Sequence, residues 1–396
     1  MKMLRQVAAV TMMNLRSMPQ RFGTSLVIVI GIGGVVAVLV SVLAMSTGMI
    51  RTLENSGRED RAVILRNGSA AENGSAIPHD SARLILDSPG VKRDTEGKPI
   101  GSADTLRLLN LHRLEDDAEV AVALRGVGPQ VFKLRPEMKI VAGRMFNPAV
   151  NEIIVGKAAI KQFKGVAIGD KVTTRGATWT VVGEFSTGGD SHESGLMADA
   201  ETVMSSDHRT TFQSVTVLLD SPASFQKFKD SLTANPALAV DVSREREYYK
   251  HQSETISKVI SVIAYVVGGI MAVGAIFGAL NTMYSAVSAR LMEIATLRAI
   301  GFGSTAMVVS VLVEALLLAF IGGAIGALLA WLFFNGHVVS SSTGGAASGH
   351  LIFELAVTPA LIAIGIAWAC SIGLLGGLFP AIRAARLPVA TALRAV

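Results

Sequence analysis

The chain has 396 residues, half of them hydrophobic, with a mean hydropathy of +0.48, a composition that excludes an ordinary soluble domain and favours a membrane protein. Its net charge of +5 is unevenly spread: residues 47–257 hold 26 basic and 28 acidic side chains and the remainder 10 and 3, which is not the footprint of a nucleic-acid binder. The single cysteine, Cys370, lies in an apolar run, excludes an intrachain disulfide or a cysteine-based zinc site, and reads as a small buried apolar residue.

Residues 2–21 place Leu4, Val7, Val10 and Leu15 at helical spacing among basic residues, the pattern of a helix lying on the inner membrane face. A helix needs about 20 apolar residues to cross the hydrocarbon core. Uncharged runs at 22–50 and 259–289 meet that length, as do 304–335, interrupted only by Glu314, and 355–382; the second span is drawn at 258–289. The first apolar run is about twice the length of a signal-peptide core, so it reads as an uncleaved anchor.

Lys and Arg set the orientation. They occur before the first span, between spans two and three (Arg290, Arg298) and after span four (Arg383, Arg386, Arg394), but not in the loop 336–354. Both termini are therefore expected in the cytoplasm, and residues 51–257 outside it.

The outward region carries strand signals at 119–127, 152–156, 170–176, 178–185 and 214–220, and helix signals at 78–88, 157–165 and 222–235. Ser221 is the expected N-cap of the last of these, with Pro222 in its first turn. Two strand–helix–strand units, within 55–138 and 206–245, flank a strand-rich insertion at 139–205. Residues 244–258 read as a charged helix running into span two, and Gly48–Glu54 as a matching extension of span one. The expected fold class is thus an α+β membrane protein, with four membrane helices and a large extracytoplasmic domain between the first two.

No Walker A, G-x-S-x-G, H-E-x-x-H or paired-cysteine pattern occurs. Asp190-Ser191-His192-Glu193, after Gly188-Gly189, places acids beside an imidazole but reads as a solvated loop. The sequons at Asn67 and Asn73 read as polar loops. No catalytic, cofactor-binding or metal residue is assigned. Glu314 is the one ionisable residue well inside a span; there a charge is unfavourable by about 3 kcal/mol, so an interhelix hydrogen bond is expected of it.

After span two, Leu291, Ile294, Leu297 and Ile300 recur at helical spacing, with Arg290, Glu293 and Arg298 among them, predicting a short amphipathic helix over 290–303. This run, ARLMEIATLRAIGFG, together with Glu314-Ala315-Leu316-Leu317 and Gly322-Gly323, resembles the permeases of the MacB/FtsX-like class of ABC transporters. So do the end, GGLFPAIRAARLPVATALRAV, and GRMFNPAVNEIIVGKAAIKQF in the outward region.

The resemblance implies a dimer, with an identical or a paralogous permease, acting with ATP-binding subunits that hold ATP and magnesium on the cytoplasmic side. The short helix would be the coupling helix, contributing Arg290, Glu293, Ile294, Leu297 and Arg298. The outward domain would move with ATP turnover and drive efflux through a periplasmic adaptor and an outer-membrane duct. Lipoprotein extraction and signalling to a cell-wall hydrolase are the alternatives within the class. Because the chain begins about 20 residues before span one, the ATPase is expected as a separate polypeptide.

Overall fold

The computed structural model describes residues 6–8, 10–13, 22–174, 177–343 and 349–386. It divides into two units. One comprises residues 1–47, 259–337 and 355–396; the other comprises 48–258 and 338–354. Two helices, α1 (Phe22–Ser56) and a second at Glu245–Ala289, belong to both.

In the second unit, the outward one by the sequence-based expectation, β1 (Arg61–Arg66), β2 (Ile77–Pro78) and α2 (His79–Leu86) lead into the 12-residue strand β3 (Gly101–His112). Then follow β4 (Glu119–Val127), α3 (Val131–Leu134), β5 (Lys139–Gly143), β6 (Glu152–Gly156), α4 (Lys157–Ile160), β7 (Lys171–Thr173), β8 (Thr178–Ser186) and β9 (Leu196–Asp199). The chain returns through α5 (Ala200–Ser206), β10 (Thr211–Phe212), β11 (Ser214–Leu218), α6 (Phe225–Thr233) and β12 (Val240–Arg244) into α7 (Glu245–Ala289). Glu293 and its neighbours lie on α8 (Leu291–Ala299), and the remaining elements are α9 (Ser304–Phe334), the hairpin β13 (Val338–Thr343) and β14 (Gly349–Glu354), and α10 (Pro359–Arg386).

The large sheet runs β12-β1-β11-β3-β4-β9-β6-β8-β5, with β7 also paired to β8. Its first four strands are antiparallel, and the connections β1-α2-β3 and β11-α6-β12 make them the split βαβ pair of a ferredoxin-like sheet. Ala62, Ile64, Val215 and Val217 point to one face, where Ile85 of α2 and Phe228 and Leu232 of α6 cover them. Alternation along each strand selects these residues for the core.

The seam with the strand-rich half is not at residue 139 as the sequence implied. It falls inside β3, whose residues 101–104 pair with β11 and 105–112 with β4. No turn marks that switch, because one extended segment serves both cores. The second core gathers Val122, Leu124, Ile153, Val155, Trp179 and Val181. The helix expected over 157–165 stops at Ile160, since Phe163 bridges to Arg113. Ser221 precedes a 3₁₀ turn, but its hydroxyl meets that of Ser224 (3.0 Å) and caps no backbone N–H.

Within the loop 336–354, β13 and β14 pair as antiparallel strands and belong to the outward unit. Ile352 joins the second core, and its N–H donates to Ser194 Oγ (2.9 Å). Span four consequently begins at Pro359 rather than 355.

Among the described residues, four helices are long and apolar enough to cross a membrane. Their close approaches use small residues. A Cβ on Gly33 would lie 3.1 Å from Gly322 O, and Gly326 faces the Gly33 backbone, so α1 and α9 nearly touch. Gly377 and Ala315 bring α9 against α10 in the same way. In lipid this fit replaces the hydrophobic drive available in water. Of residues 2–21, 6–8 and 10–13 are described and helical, with Val10 buried in the helix core. The rest of that segment, and the closing motif from Pro388 onward, lie outside the described residues.

Candidate coupling site

Helix α7 ends at Ala289, and Arg290 leaves helical geometry (φ −108°, ψ 12°) before the chain turns into α8. Helix α8 closes at Gly301, whose φ of +98° suits glycine; Phe302 N–H donates to Leu297 O (3.0 Å) and Gly301 N–H to Arg298 O (3.1 Å). This is shorter than the predicted 290–303.

Two faces follow. Ile294 and Ala295 are buried, and Leu297 packs against the helix core. Met292, Glu293, Thr296 and Ile300 are exposed, while Arg298 is half-buried and makes contacts of its own.

Arg290 does not face outward. Its guanidinium donates to both oxygens of Glu314 on α9 (2.9 and 3.2 Å), with the two side chains 5% and 7% exposed. Glu314 thus makes the expected kind of hydrogen bond, with a charged arginine at the end of span two as its donor. Arg290 and Ile294 belong to the packing beneath α8, and of the five residues assigned to coupling Glu293 is the fully exposed one. A cavity of about 20 Å³, room for one water, adjoins the pair and is lined by Val10, Met283 and Glu314; the Arg290 Nε lacks a hydrogen-bond partner.

The outward unit fixes the other ends of α1 and α7. Glu245, the first residue of α7, is fully buried. Its carboxylate accepts from Arg135 (2.6 Å), Arg61 (3.4 Å) and the Arg58 N–H (3.1 Å). An acid at a helix N-terminus is also favoured by the helix dipole. Arg61 forms a second, bidentate pair with Glu137 (2.7 and 2.8 Å).

The 190–193 segment is buried, which corrects its reading as a solvated loop. Glu193 accepts from the N–H groups of Gly188 (2.8 Å) and Gly189 (3.2 Å). Asp190 caps the turn at His192 N–H (2.8 Å) and meets the His192 ring (3.1 Å), whose far nitrogen lies 3.4 Å from Tyr249 Oη on α7. Burial raises the affinity of Asp190 for a proton, but His192, Thr187 and Arg135 outweigh it and hold the carboxyl below its usual range. Ser191 N–H donates to Ser56 Oγ at the end of α1 (2.9 Å). The turn therefore brackets both helices. Among the described residues no group of three or more His, Cys, Asp or Glu could hold a metal.

A third buried network joins the two sheet halves. Arg125 on β4 binds Glu72 (2.6 and 2.9 Å) and Asp104 (3.2 Å), and Ser214 donates to Glu72 (2.7 Å). Burial acts against the Glu72 charge, yet Arg125 and Ser214 lower its pKa to about 2. For Asp104, burial prevails and its pKa is raised. None of these anchors was singled out in the sequence, where they are isolated charges in ordinary strands and loops.

Four candidate spans, a mixed sheet domain between the first two, and a short interhelical segment with one exposed face define the architecture of a multi-pass membrane protein. The family described as MacB-like periplasmic core domain matches residues 22–235, and that described as FtsX-like permease C-terminal matches 265–389. The chain belongs to the MacB/FtsX-like permease family of ABC transporters.

It is 27% identical to the macrolide export ATP-binding/permease protein MacB of Shewanella sp. (strain ANA-3), over 94% of this chain and 58% of that one. It is 25% identical to MacB 1 of Aeromonas hydrophila, over 91% and 54%. The chain thus spans little more than half the length of these relatives. Over 34% of the chain, identity to MacB of Shewanella oneidensis reaches 38%. Among solved structures, the periplasmic region of MacB from Actinobacillus actinomycetemcomitans aligns at 14% identity and TM-score 0.37, over 54% of this chain and 97% of that one. The extracellular domain of the ABC-type transporter YknZ aligns at 16% and 0.36, over 46% and 99%.

Proposed function

We propose that this permease couples ATP hydrolysis in a separate cytoplasmic ATP-binding subunit to movement of its outward domain. It acts as a dimer with a second permease and drives efflux through a periplasmic adaptor and an outer-membrane duct. The observation that carries this reading is the continuity of α1 and α7. Each runs unbroken from an apolar span into the outward unit, where Glu245 is held by a buried polar bond and Ser56 by a partly buried one. A displacement of either helix along its axis would be delivered to the sheet through bonds shielded from water, which water competes with least. Lys and Arg beside the spans support cytoplasmic termini and a periplasmic domain.

At the cytoplasmic end, α8 would present Met292, Glu293 and Ile300 to the ATP-binding subunit, with the Arg290–Glu314 pair holding its base. Lipoprotein release and control of a cell-wall hydrolase use the same coupling and differ in what the outward domain engages.

The test is copurification of the tagged chain from native membranes, followed by ATPase assay of wild type and Glu293→Arg. An ATPase that accompanies wild type and is lost or uncoupled in the variant supports the proposal. Absence of any associated ATPase would overturn it. The other proteins recovered separate efflux from the two alternatives.

A further inference from the structure

Asp190, His192, Glu193 and Ser194 are each less than a tenth exposed, so the turn between β8 and β9 is walled in although its members are polar. Backbone contacts seat it. Glu193 accepts from the N–H groups of Thr187, Gly188 and Gly189. A Cβ on Gly156, the last residue of β6, would collide with Glu193 O, and one on Gly195 with Ala123 O on β4. At these two approaches no side chain separates the turn from the strands, so it has nothing soft to move against and travels with the sheet.

Neighbouring residues of this turn each hold a different element that leads to a span. Ser191 holds α1: its N–H donates to Ser56 Oγ (2.9 Å), which in turn donates to Ser191 Oγ (2.8 Å). His192 holds α7: one ring nitrogen is engaged by Asp190 (3.1 Å), and the other is left for the Tyr249 hydroxyl (3.4 Å). Ser194 holds the β13–β14 hairpin, which joins α9 to α10 in the chain: its Oγ accepts from Ile352 N–H (2.9 Å) and donates to Ile352 O (3.3 Å). Anchors scattered over a domain let each element shift against it separately. Anchors on one rigid segment tie the shifts together.

We propose that the Asp190–Ser194 turn is the joint of the outward unit, with Ser191, His192 and Ser194 as positioning residues that pass a shift of α1, α7 or the hairpin to the other two. Its purpose rests on the proposed coupling to an ATP-binding subunit, but the joint itself is testable without one.

The test is amide hydrogen exchange in the full chain in nanodiscs. Tyr249→Phe deletes the hydroxyl that meets His192, and Ser56→Ala deletes the bonds from α1. Each is expected to speed exchange at the Ile352 N–H, which neither residue touches, by about threefold or more. Tyr249→Phe does the same at the Ser191 N–H. Exchange at Phe228, in the other core, stays as in wild type. In the double variant the effect at Ile352 falls short of the product of the two single effects, because the first substitution has already loosened the shared segment.

Exchange that rises only beside each substitution, or single effects that multiply in the double variant, makes the three anchors independent and overturns the joint. A rise at Phe228 equal to that at Ile352 marks general loosening and overturns it as well. Either single variant carries the comparison of Ile352 with Phe228 if the other fails to fold. Failure of an ATPase to copurify leaves these outcomes standing, whereas purely local exchange removes the joint and leaves the coupling proposal intact.

Discussion

Arg290 and Glu314, 24 residues apart, form a two-pronged ion pair in which both side chains are almost wholly buried. The pair pins the start of α8 to α9, so the exposed face of α8 is set by a contact on its hidden side. Removing one partner strands the other charge, which typically destabilises by about 3–5 kcal/mol. Glu314→Gln is therefore expected to lower the melting midpoint of the full chain in nanodiscs markedly. Replacing both residues at once, Arg290→Met with Glu314→Leu, recovers most of the loss. A double variant as unstable as the single one contradicts the pairing.

At the far end of α7, Glu245→Gln leaves Arg135 and Arg61 facing a neutral amide. A loss of about 2–4 kcal/mol is expected, and it should appear as faster hydrogen exchange at the first turn of α7 and at Arg58. Exchange rates unchanged at both places would remove Glu245 as the anchor.

The Glu72 carboxyl supplies a pH signature. Its folded pKa of about 2 lies below the 4.5 of the free side chain, so its stabilisation is complete above pH 4.5 and is lost as pH falls toward 2. By order of magnitude that is about 3 kcal/mol. Asp104, with its raised pKa, acts in the opposite sense and loses favour as pH rises. Stability measured between pH 5 and 2 should fall less steeply in Glu72→Gln than in wild type, from a lower starting value. Parallel curves would exclude Glu72 as the source of the acid sensitivity.

Ser194 both accepts from Ile352 N–H and donates to Ile352 O, tying the hairpin to the outward unit. Ser194→Ala strands a buried backbone N–H, an expected loss of about 1–3 kcal/mol. Proteolysis at the hairpin should accelerate in that variant, and an unchanged cleavage rate would mean that the apolar contacts of Ile352 suffice.

The spans were legible because crossing a bilayer demands long apolar runs and little else has that appearance. Glu314 stood out for the same reason, as a charge where none is expected. The pairing did not: Arg290 was read as a coupling residue because it sits at the end of a span, where arginines usually face water, and no spacing rule links residues 24 apart. The 190–193 turn was misread because its polar side chains are satisfied by backbone N–H groups and by residues as distant as Ser56 and Tyr249. Strand β3 escaped notice because its two ends are buried on different schedules, so no single alternation runs through it. The α7 extension was readable, since residues 244–258 are charged at helical spacing and pass without Gly or Pro into span two.

That shared strand constrains how the outward unit can change over generations. Side chains along an extended segment alternate sides with a period of two, so one residue added between Asp104 and Thr105 would invert every side chain beyond it. Either the half pairing with β11 or the half pairing with β4 would then turn its polar side inward. The peripheral loops can lengthen freely, but the count of residues through β3 is locked: the two cores keep a common phase, and neither can be replaced by a foreign module without preserving it.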